Sequence, residues 1–382
     1  MSAAPDLFTA EHDELRRNVR SFVEKELLVH AEEWERDESF PKEVFKRVGE
    51  LGFFGMKFPE EVGGSGPDFA ADAVVTEEFA RCGSAGVSAS LGAHKDLAAL
   101  YVYNFGTREQ QERWLRPAIE GDRVGAFAVT EPDAGSDVAS IKCSARKDGP
   151  DWVISGSKIF ISNGAWADFV VVAAKSAPDA AHQGITLFVV EADTPGFAAR
   201  RIPMLGWRTG QTGELSFTDV RVPDDARLGP EGTGFYAIMQ NFVWERLIMA
   251  LAQVAGAERT YEYAKAYALD RSAFKRPVGK FQIWRHRFAN MATRIEAGRA
   301  LTYSALRKVV AGENPVKEAA MAKLYTSEVA FHVADECVQV HGGYGYMMEF
   351  PAQRAWRDSR LGPIGGGTSE IMRELIGRTY GL

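Results

Sequence analysis

The feature that most constrains the fold is a change of hydrophobic period along the chain, from steps of three and four to alternation and back again. Leu15, Val19, Phe22, Val23 and Leu27 recur at helical spacing behind Thr9, which has the chemistry of an N-cap. Pro41 stands where a helix can begin, Val44, Val48 and Leu51 carry an apolar stripe onward, and Gly52 marks a stop. Residues 59–66 are a loop by composition, and further helix ends near Pro117 and Gly121. The middle is different. Residues 152–154, 159–161, 169–173 and 185–190 are short β-branched or aromatic runs punctuated by Gly, Asn, Asp and Pro. Leu215 and Phe217, then Val220 and Val222, alternate with polar residues. This pattern predicts a small antiparallel sheet domain. From Gly232 helix returns: Phe288, Met291 and Ile295 form one stripe, Asn314-Pro315 opens another helix, and residues 370–378 close the chain as a short one. A length of 382 residues suits two or three domains. The expected division is a helical domain at 1–122, a β domain at 123–230 and a helical bundle at 231–382.

Composition narrows the function classes. Hydrophobic residues at 46% and charged residues at 25% are ordinary globular usage, which argues against disorder and coiled-coil rods. A net charge of −7 argues against nucleic-acid and anionic-membrane partners. Cys82, Cys143 and Cys337 are odd in number, far apart and form no CxxC, so neither a disulfide framework nor a Cys-type zinc site is expected. The seven histidines include no pair at i, i+4, and no metal is expected. Residues 1–6 lack the charge and apolar run of a secretory signal, and no apolar run reaches membrane-span length. The expected location is the cytoplasm, or a matrix after removal of a transit peptide. Dinucleotide G-x-G-x-x-G, Walker, G-x-S-x-G and HExxH motifs are all missing, which lowers the weight of nicotinamide Rossmann enzymes, P-loop NTPases, serine hydrolases and zinc hydrolases.

Two segments carry chemistry. Ala128-Val129-Thr130-Glu131-Pro132-Asp133-Ala134-Gly135-Ser136-Asp137 enters the β region through a Gly-Ser-Asp turn that can present N–H groups and hydroxyls to a polar ligand. By composition alone it is a turn. Gln339-Val340-His341-Gly342-Gly343-Tyr344-Gly345-Tyr346, leading to Arg354 and Asp358, has glycines that allow close approach of backbone to a ligand. By itself it is a helix C-terminus and a turn.

Together these segments resemble both signatures of the acyl-CoA dehydrogenase family. Residues 59–66, the set Gly106, Gln110, Leu115, Pro117 and Gly121, residues 205–208 and 217–223, Arg271-Ser272-Ala273-Phe274, Gln282 and Gly367-Thr368-Ser369 resemble further family elements in the same order. The resemblance therefore covers nearly the whole chain. It implies an α+β fold with an N-terminal helical domain, a middle antiparallel β domain and a C-terminal four-helix bundle, with FAD between the β domain and the bundle. Phe127, Val129, Thr130, Gly135 and Ser136, with Phe160, Ile161 and Ser162, would line the isoalloxazine. Phe160 stands where the family often has Trp, and without an N–H donor its implied role is packing. Arg271 would reach the FAD pyrophosphate across a subunit interface, where a guanidinium fork suits phosphate oxygens. Phe274 and Gln282 would lie beside it, and Lys275 stands where the family often has Gly. Gln339, Val340, Gly342, Gly343, Thr368, Ser369 and Glu370 would complete the dinucleotide site. A site built from two protomers implies a homo-oligomer, a tetramer by family habit.

The implied reaction needs a base at the substrate α-carbon and a hydride acceptor at the β-carbon. Many relatives place the base as a Glu just before Gly-Thr, where this chain has Gly365-Gly366-Gly367-Thr368. Gly366 occupies that position and can do no proton chemistry. The isovaleryl-CoA and long-chain members resemble this chain more closely in base placement, carrying a Glu-Arg pair on a bundle helix. Phe242-Val243-Trp244-Glu245-Arg246-Leu247 supplies that pair here, with Glu245 as base and Arg246 orienting the site. Val243 and Trp244, with Ser136, Gly366 and Gly367, would meet the substrate. The glycine run is expected to leave room for branched or longer acyl groups. The resemblance thus implies FAD-dependent conversion of an acyl-CoA to its trans-2-enoyl-CoA, with hydride passing to flavin N5 and electrons to an electron-transfer flavoprotein. Alternatives are a dehydrogenase of carrier-protein-bound acyl groups, an acyl-CoA oxidase and, from another class, a non-catalytic flavin-fold scaffold.

Overall fold

The computed structural model describes residues 7–382. Its first region is helical. Thr9 precedes helix Ala10–Phe22 and donates its N–H to His12 Nδ1 at 3.0 Å, and a π turn, Val23–Leu27, extends the same apolar face. Pro41 precedes helix Glu43–Glu50, and Gly52 ends the turn after it at φ +73°. Helix Phe69–Phe79 is buried nearly throughout. The π turn Ala93–Ala98 interrupts the next helical stretch. A widened turn of this kind lets four successive residues, Ala93, His94, Lys95 and Asp96, all be buried. His94 then pins the next region. Its Nε2 lies 2.8 Å from the Ala118 carbonyl and its Nδ1 accepts from Gly125 N–H at 3.0 Å, while burial pushes its pKa down to about 4, so the ring is neutral.

The middle region forms one sheet: β1 (Gly125–Ala128), β2 (Ser144–Asp148), β3 (Asp151–Ile161), β4 (Phe169–Lys175), β5 (Ile185–Glu191), β6 (Phe197–Arg201), β7 (Gly213–Pro223) and β8 (Arg227–Leu228). The order is β6-β7-β3-β2-β4-β5-β8, with β1 beside β4. Most neighbours are antiparallel, as the alternation predicts. Two pairs are parallel: β1 with β4, and β2 with β4 through the single pair Ser144 and Lys175. That narrow join splits the sheet into halves that share a core, with Trp152 and Phe188 rings 5.2 Å apart. β4 and β5 read as unbroken apolar runs because helices cover their outer face, and nearly every residue in them is buried.

The last region holds three long helices, Gly234–Asp270, Gln282–Val310 and Val316–His341, here called the first, second and third bundle helices, and two shorter ones, Pro351–Ser359 and Ser369–Thr379. Val254, Met291, Ile295, Val329 and Val333 knit the long three together. The first bundle helix is buried over most of Val243–Leu251 because it also packs on helix Phe69–Phe79, on the Ala93–Ala98 turn and on β5. Glu245 stands in that stretch. Cys82, Cys143 and Cys337 are buried and free.

Candidate active site

Glu245 projects from the most enclosed part of the first bundle helix. The residue keeps some exposure, but its Oε2 is buried and has no hydrogen-bond partner among the described residues. Burial raises its pKa to about 7; the Arg246 guanidinium pulls against that shift and Asp96 adds to it. Arg246 is itself buried, and burial lowers its pKa. Its guanidinium lies over the Phe242 ring at 5.4 Å. Glu370, the carboxylate just beyond the glycine loop, is in the opposite situation. It is exposed at the first turn of helix Ser369–Thr379, where its own backbone N–H and then Thr368 hold its pKa low. A carboxylate solvated and hydrogen-bonded in this way is a weak base, whereas one stripped of water and donors takes a proton readily.

Tyr101 connects the base to the β domain. Its hydroxyl is buried and unpartnered, and burial together with the Glu245 charge holds its pKa well above normal. Its ring stacks on Phe127 of β1 with centroids 4.1 Å apart. Nothing in the order of residues marks Tyr101, which is 144 positions before Glu245; only the packing of its helix against β1 brings it in.

On the other side stands the glycine loop, with Gly366 at φ +63° and Gly367 at φ +93°. Lys323 of the third bundle helix, its side chain buried, donates to the Gly367 carbonyl and so ties the loop to the bundle. Burial, with the nearby Arg246 charge, lowers the Lys323 pKa to about 8. The expectation of open room over Gly366 is corrected here. A Cβ added at Gly366 would lie 2.3 Å from Met249 Sδ, so the Met249 side chain fills the space. Met249 follows Glu245 by one helical turn, and i, i+4 residues share a face. Of the remaining expected residues here, Val243 and Trp244 are buried, Thr368 caps helix Ser369–Thr379 by accepting from Ile371 N–H at 3.3 Å, and Ser369 Oγ is buried without a partner.

The first signature owes its shape to two residues that sequence reasoning did not single out. Glu131 accepts from Lys142 N–H at 2.5 Å and Cys143 N–H at 2.9 Å, and pairs with the wholly buried Lys158 at 2.8 Å. Lys158 Nζ also holds the Val129 carbonyl at 3.0 Å, and Thr130 accepts from Ile159 N–H at 3.0 Å. The signature is thereby fastened to β3, leaving Gly135 and Ser136 exposed, Thr130 half-buried and Ser162 half-buried beside the buried Ile161. The β3–β7 register is irregular between Lys158 and Ile161, and Phe160 sits in that irregularity at φ +60°, the residue 58% exposed. A bulged strand re-aims side chains, and here it turns an aromatic face outward beside the signature.

The second signature lies elsewhere on the protomer. Arg271, Gln339, Val340, His341, Gly342 and Gly343 line a cavity of about 610 Å³ with Tyr267 and Trp284. No residue of the first signature lines it. Added Cβ atoms at Gly342 and Gly343 would meet nothing within 4 Å, so this floor faces open space. Arg271 is exposed at the foot of a two-residue hairpin whose tip, Phe274 and Lys275, has φ +51° and +66°. Lys275 thus keeps the left-handed turn that Gly would adopt without strain. Phe274 is 91% exposed, and Gln282 begins the second bundle helix nearby, also exposed.

Comparison with known proteins agrees with this architecture. The chain matches the models of the acyl-CoA dehydrogenase N-terminal domain over residues 9–122, the middle domain over 126–220 and the C-terminal domain over 232–381. It is 40% identical to the mitochondrial long-chain specific acyl-CoA dehydrogenase of Mus musculus, covering 97% of this chain and 87% of that one. The solved acyl-CoA dehydrogenase of Geobacillus kaustophilus superposes with a TM-score of 0.95 at 39% identity, covering 100% of both chains. A chain from a structure described as the electron transferring flavoprotein of Acidaminococcus fermentans superposes with a TM-score of 0.95 at 36% identity, covering 98% of both. The chain belongs to the acyl-CoA dehydrogenase family and is a FAD-dependent enzyme.

The residues present fit that cofactor. A dinucleotide needs an open backbone floor and a cation for its phosphates, and a flavin needs an apolar wall with polar backbone close by. The glycine floor with Arg271 meets the first need, and Phe160 beside the exposed Gly135-Ser136 turn meets the second. The two sets lie on different parts of one protomer.

Proposed function

We propose that this chain oxidises an acyl-CoA thioester to the trans-2-enoyl-CoA with Glu245 as base. FAD, when bound, supplies the acceptor for the β-hydride. The thioester carbonyl acidifies the α-proton, and Glu245 takes it. Proton transfer neutralises the carboxylate, which is the form its surroundings favour, so burial helps drive the step. Arg246 limits that effect and keeps enough Glu245 ionised at neutral pH to act. Tyr101 and Trp244 keep water from the base, and the backbone of Gly366-Gly367, tied down by Lys323, is placed to meet the thioester. Lys158 and Glu131 hold Thr130, Gly135 and Ser136 in the shape that would receive the flavin. Arg271, Phe274, Gln282 and the Gln339–Gly343 segment would reach a neighbouring protomer's cofactor, making the enzyme a homo-oligomer, a tetramer. Electrons would pass to an electron-transfer flavoprotein, a reading supported by the A. fermentans relative. The proposed location is the cytoplasm; among the described residues no helix is long and apolar enough to cross a membrane.

The observation that carries this reading is the contrast between Glu245, whose Oε2 is buried without a donor, and Glu370, exposed and hydrogen-bonded. The test is anaerobic stopped-flow bleaching of the flavin by butyryl-, octanoyl-, palmitoyl- and isovaleryl-CoA in the wild type and in Glu245→Gln. The variant should keep FAD and lose roughly 10²–10⁴ in reduction rate, the usual loss for a general base. Unchanged reduction would reject Glu245. Rapid reoxidation by air would mark an oxidase, and reduction only by carrier-bound acyl groups would replace CoA as the handle.

A further inference from the structure

Behind Trp244 the protein buries four charges that the proposed reaction does not use. Lys57, Asp72, Lys95 and Asp96 are each at most 1% exposed. They close into a ring. Lys57 Nζ lies 3.1 Å from Asp72 Oδ1 and 2.6 Å from Asp96 Oδ1, and Lys95 Nζ lies 2.7 Å from Asp72 Oδ2 and 2.8 Å from Asp96 Oδ2. Lys95 also donates to Thr76 at 3.1 Å. Two cations and two anions balance, but desolvating them costs more than an apolar core of the same shape would. Toward the base the ring is linked through Trp244, whose Nε1 donates to Asp96 Oδ1 at 2.9 Å. Trp244 directly precedes Glu245, and the Phe69 ring meets its indole edge-on at 4.9 Å.

We infer that Asp96 is a positioning residue for the base: it anchors Trp244, fixing the helical turn that carries Glu245, and it presents a fixed negative charge to the Glu245 carboxyl. The inference rests on the reading of Glu245 as base. The groups facing Glu245 are few. Its own helix brings Arg246, the Ala93–Ala98 turn brings Asp96, and the next helix brings the Tyr101 hydroxyl. The third bundle helix brings Lys323, which faces Arg246 and has Glu370 beyond it. Arg246 favours the ionised base, Asp96 opposes it, and Lys57 and Lys95 moderate Asp96 from behind. The ring therefore sets how strongly Asp96 acts, and so how much of the base carries a proton.

The experiment is the pH profile of kcat/KM for the holoenzyme with the fastest thioester of the panel above. Asp96→Asn keeps an acceptor for Trp244 and Lys57 but removes the charge. The acidic limb should move down by roughly one pH unit, the effect of one charge at several ångströms in protein of effective dielectric about 20. Lys57→Met exposes Asp96 to the base and should move the limb upward. Opposite shifts are something a merely structural role would not produce. Where a single variant fails to hold FAD, the neutral pair Lys57→Met with Asp96→Asn removes both charges, keeps the ring balanced and should still move the limb down. Trp244→Phe cuts the link without changing any charge. It should lower kcat about tenfold, the scale of a slightly misplaced base, with the limb unmoved. A wild-type limb in Asp96→Asn, or in the neutral pair if the single variant fails, overturns the inference. Loss of reduction in Glu245→Gln together with that unmoved limb would sink the role of Asp96 alone, whereas full reduction in Glu245→Gln would sink the reading of the base.

Discussion

At the scale of residues, the chemistry turns on one carboxylate and its surroundings. Glu245 must be ionised to take a proton, and burial raises its pKa to about 7. Its activity should therefore rise with pH through about 7 and level off above, seen as an acidic limb in kcat/KM that disappears in Glu245→Gln. The same logic predicts what moving the base would do. In Glu245→Gly with Gly366→Glu, the new side chain starts from φ +63° and meets Met249 Sδ at 2.3 Å. That double variant should recover nothing. Adding Met249→Ala should restore a small part, because the clash goes while a left-handed cost of about 1–2 kcal/mol remains. Stopped-flow flavin reduction of the two variants checks this, and rescue without Met249→Ala would contradict it. Glu245 was legible in the sequence as a carboxylate in an apolar run beside a glycine at position 366. Met249 was not, because a methionine on an apolar helix reads as ordinary core.

At the scale of elements, two local devices hold the binding surfaces. The hairpin at Phe274–Lys275 carries a non-glycine residue at each left-handed position. Lys275→Gly should relieve the second at a gain of about 0.5–1 kcal/mol, since glycine avoids the left-handed penalty but loses more chain entropy on folding. A higher melting temperature with Arg271 function intact is the expected result, and a lower one would mean that the lysine side chain makes a compensating contact in the assembly. The Lys158–Glu131 pair is the second device. Lys158→Met leaves Glu131 buried without its cation, a loss of about 3–5 kcal/mol. That variant should melt earlier and release FAD more readily than Glu131→Gln with Lys158→Met, which removes both charges. The turn chemistry of residues 132–137 was visible in the sequence. The pair was not, because Lys158 and Glu131 are joined only when β3 folds against the signature.

At the scale of the whole molecule, the three regions meet at a charged junction. Arg357 pairs with Glu35, Ser84 donates to Glu35 at 2.6 Å, and Asp358 accepts from Trp207 N–H at 2.7 Å. Burial, with the Glu35 charge, raises the Asp358 pKa to about 6. A carboxyl raised in the folded state contributes stability below its unfolded pKa of about 4 and loses it as pH rises through about 6. Relative to Asp358→Asn, the wild type should thus lose melting temperature between pH 4 and 7, and a constant difference would refute the shift. Arg271→Ala tests the assembly: FAD should wash out on dialysis and the oligomer loosen by size-exclusion chromatography, while full retention would reject a cross-protomer contact.

The order of hydrophobic periods by itself determined the sequence of helical, β and helical regions, because a side chain's face follows from its spacing once the backbone is helix or strand. The two glycine-rich segments and the Glu-Arg pair also stood in the sequence, since they are contiguous. Only the tertiary structure decided what surrounds the base. Asp96 and Tyr101 come from one helical stretch of the first region and Lys323 from the third bundle helix, and their nearness to the Glu245–Arg246 pair arises from packing, which no local spacing encodes; Met249 shares the face of Glu245 by spacing, but its place against Gly366 is set by packing. The parallel pairing of β1 with β4 and the left-handed turn at Lys275 were likewise settled in three dimensions, where covering both faces of β4 and closing the hairpin outweighed local preference.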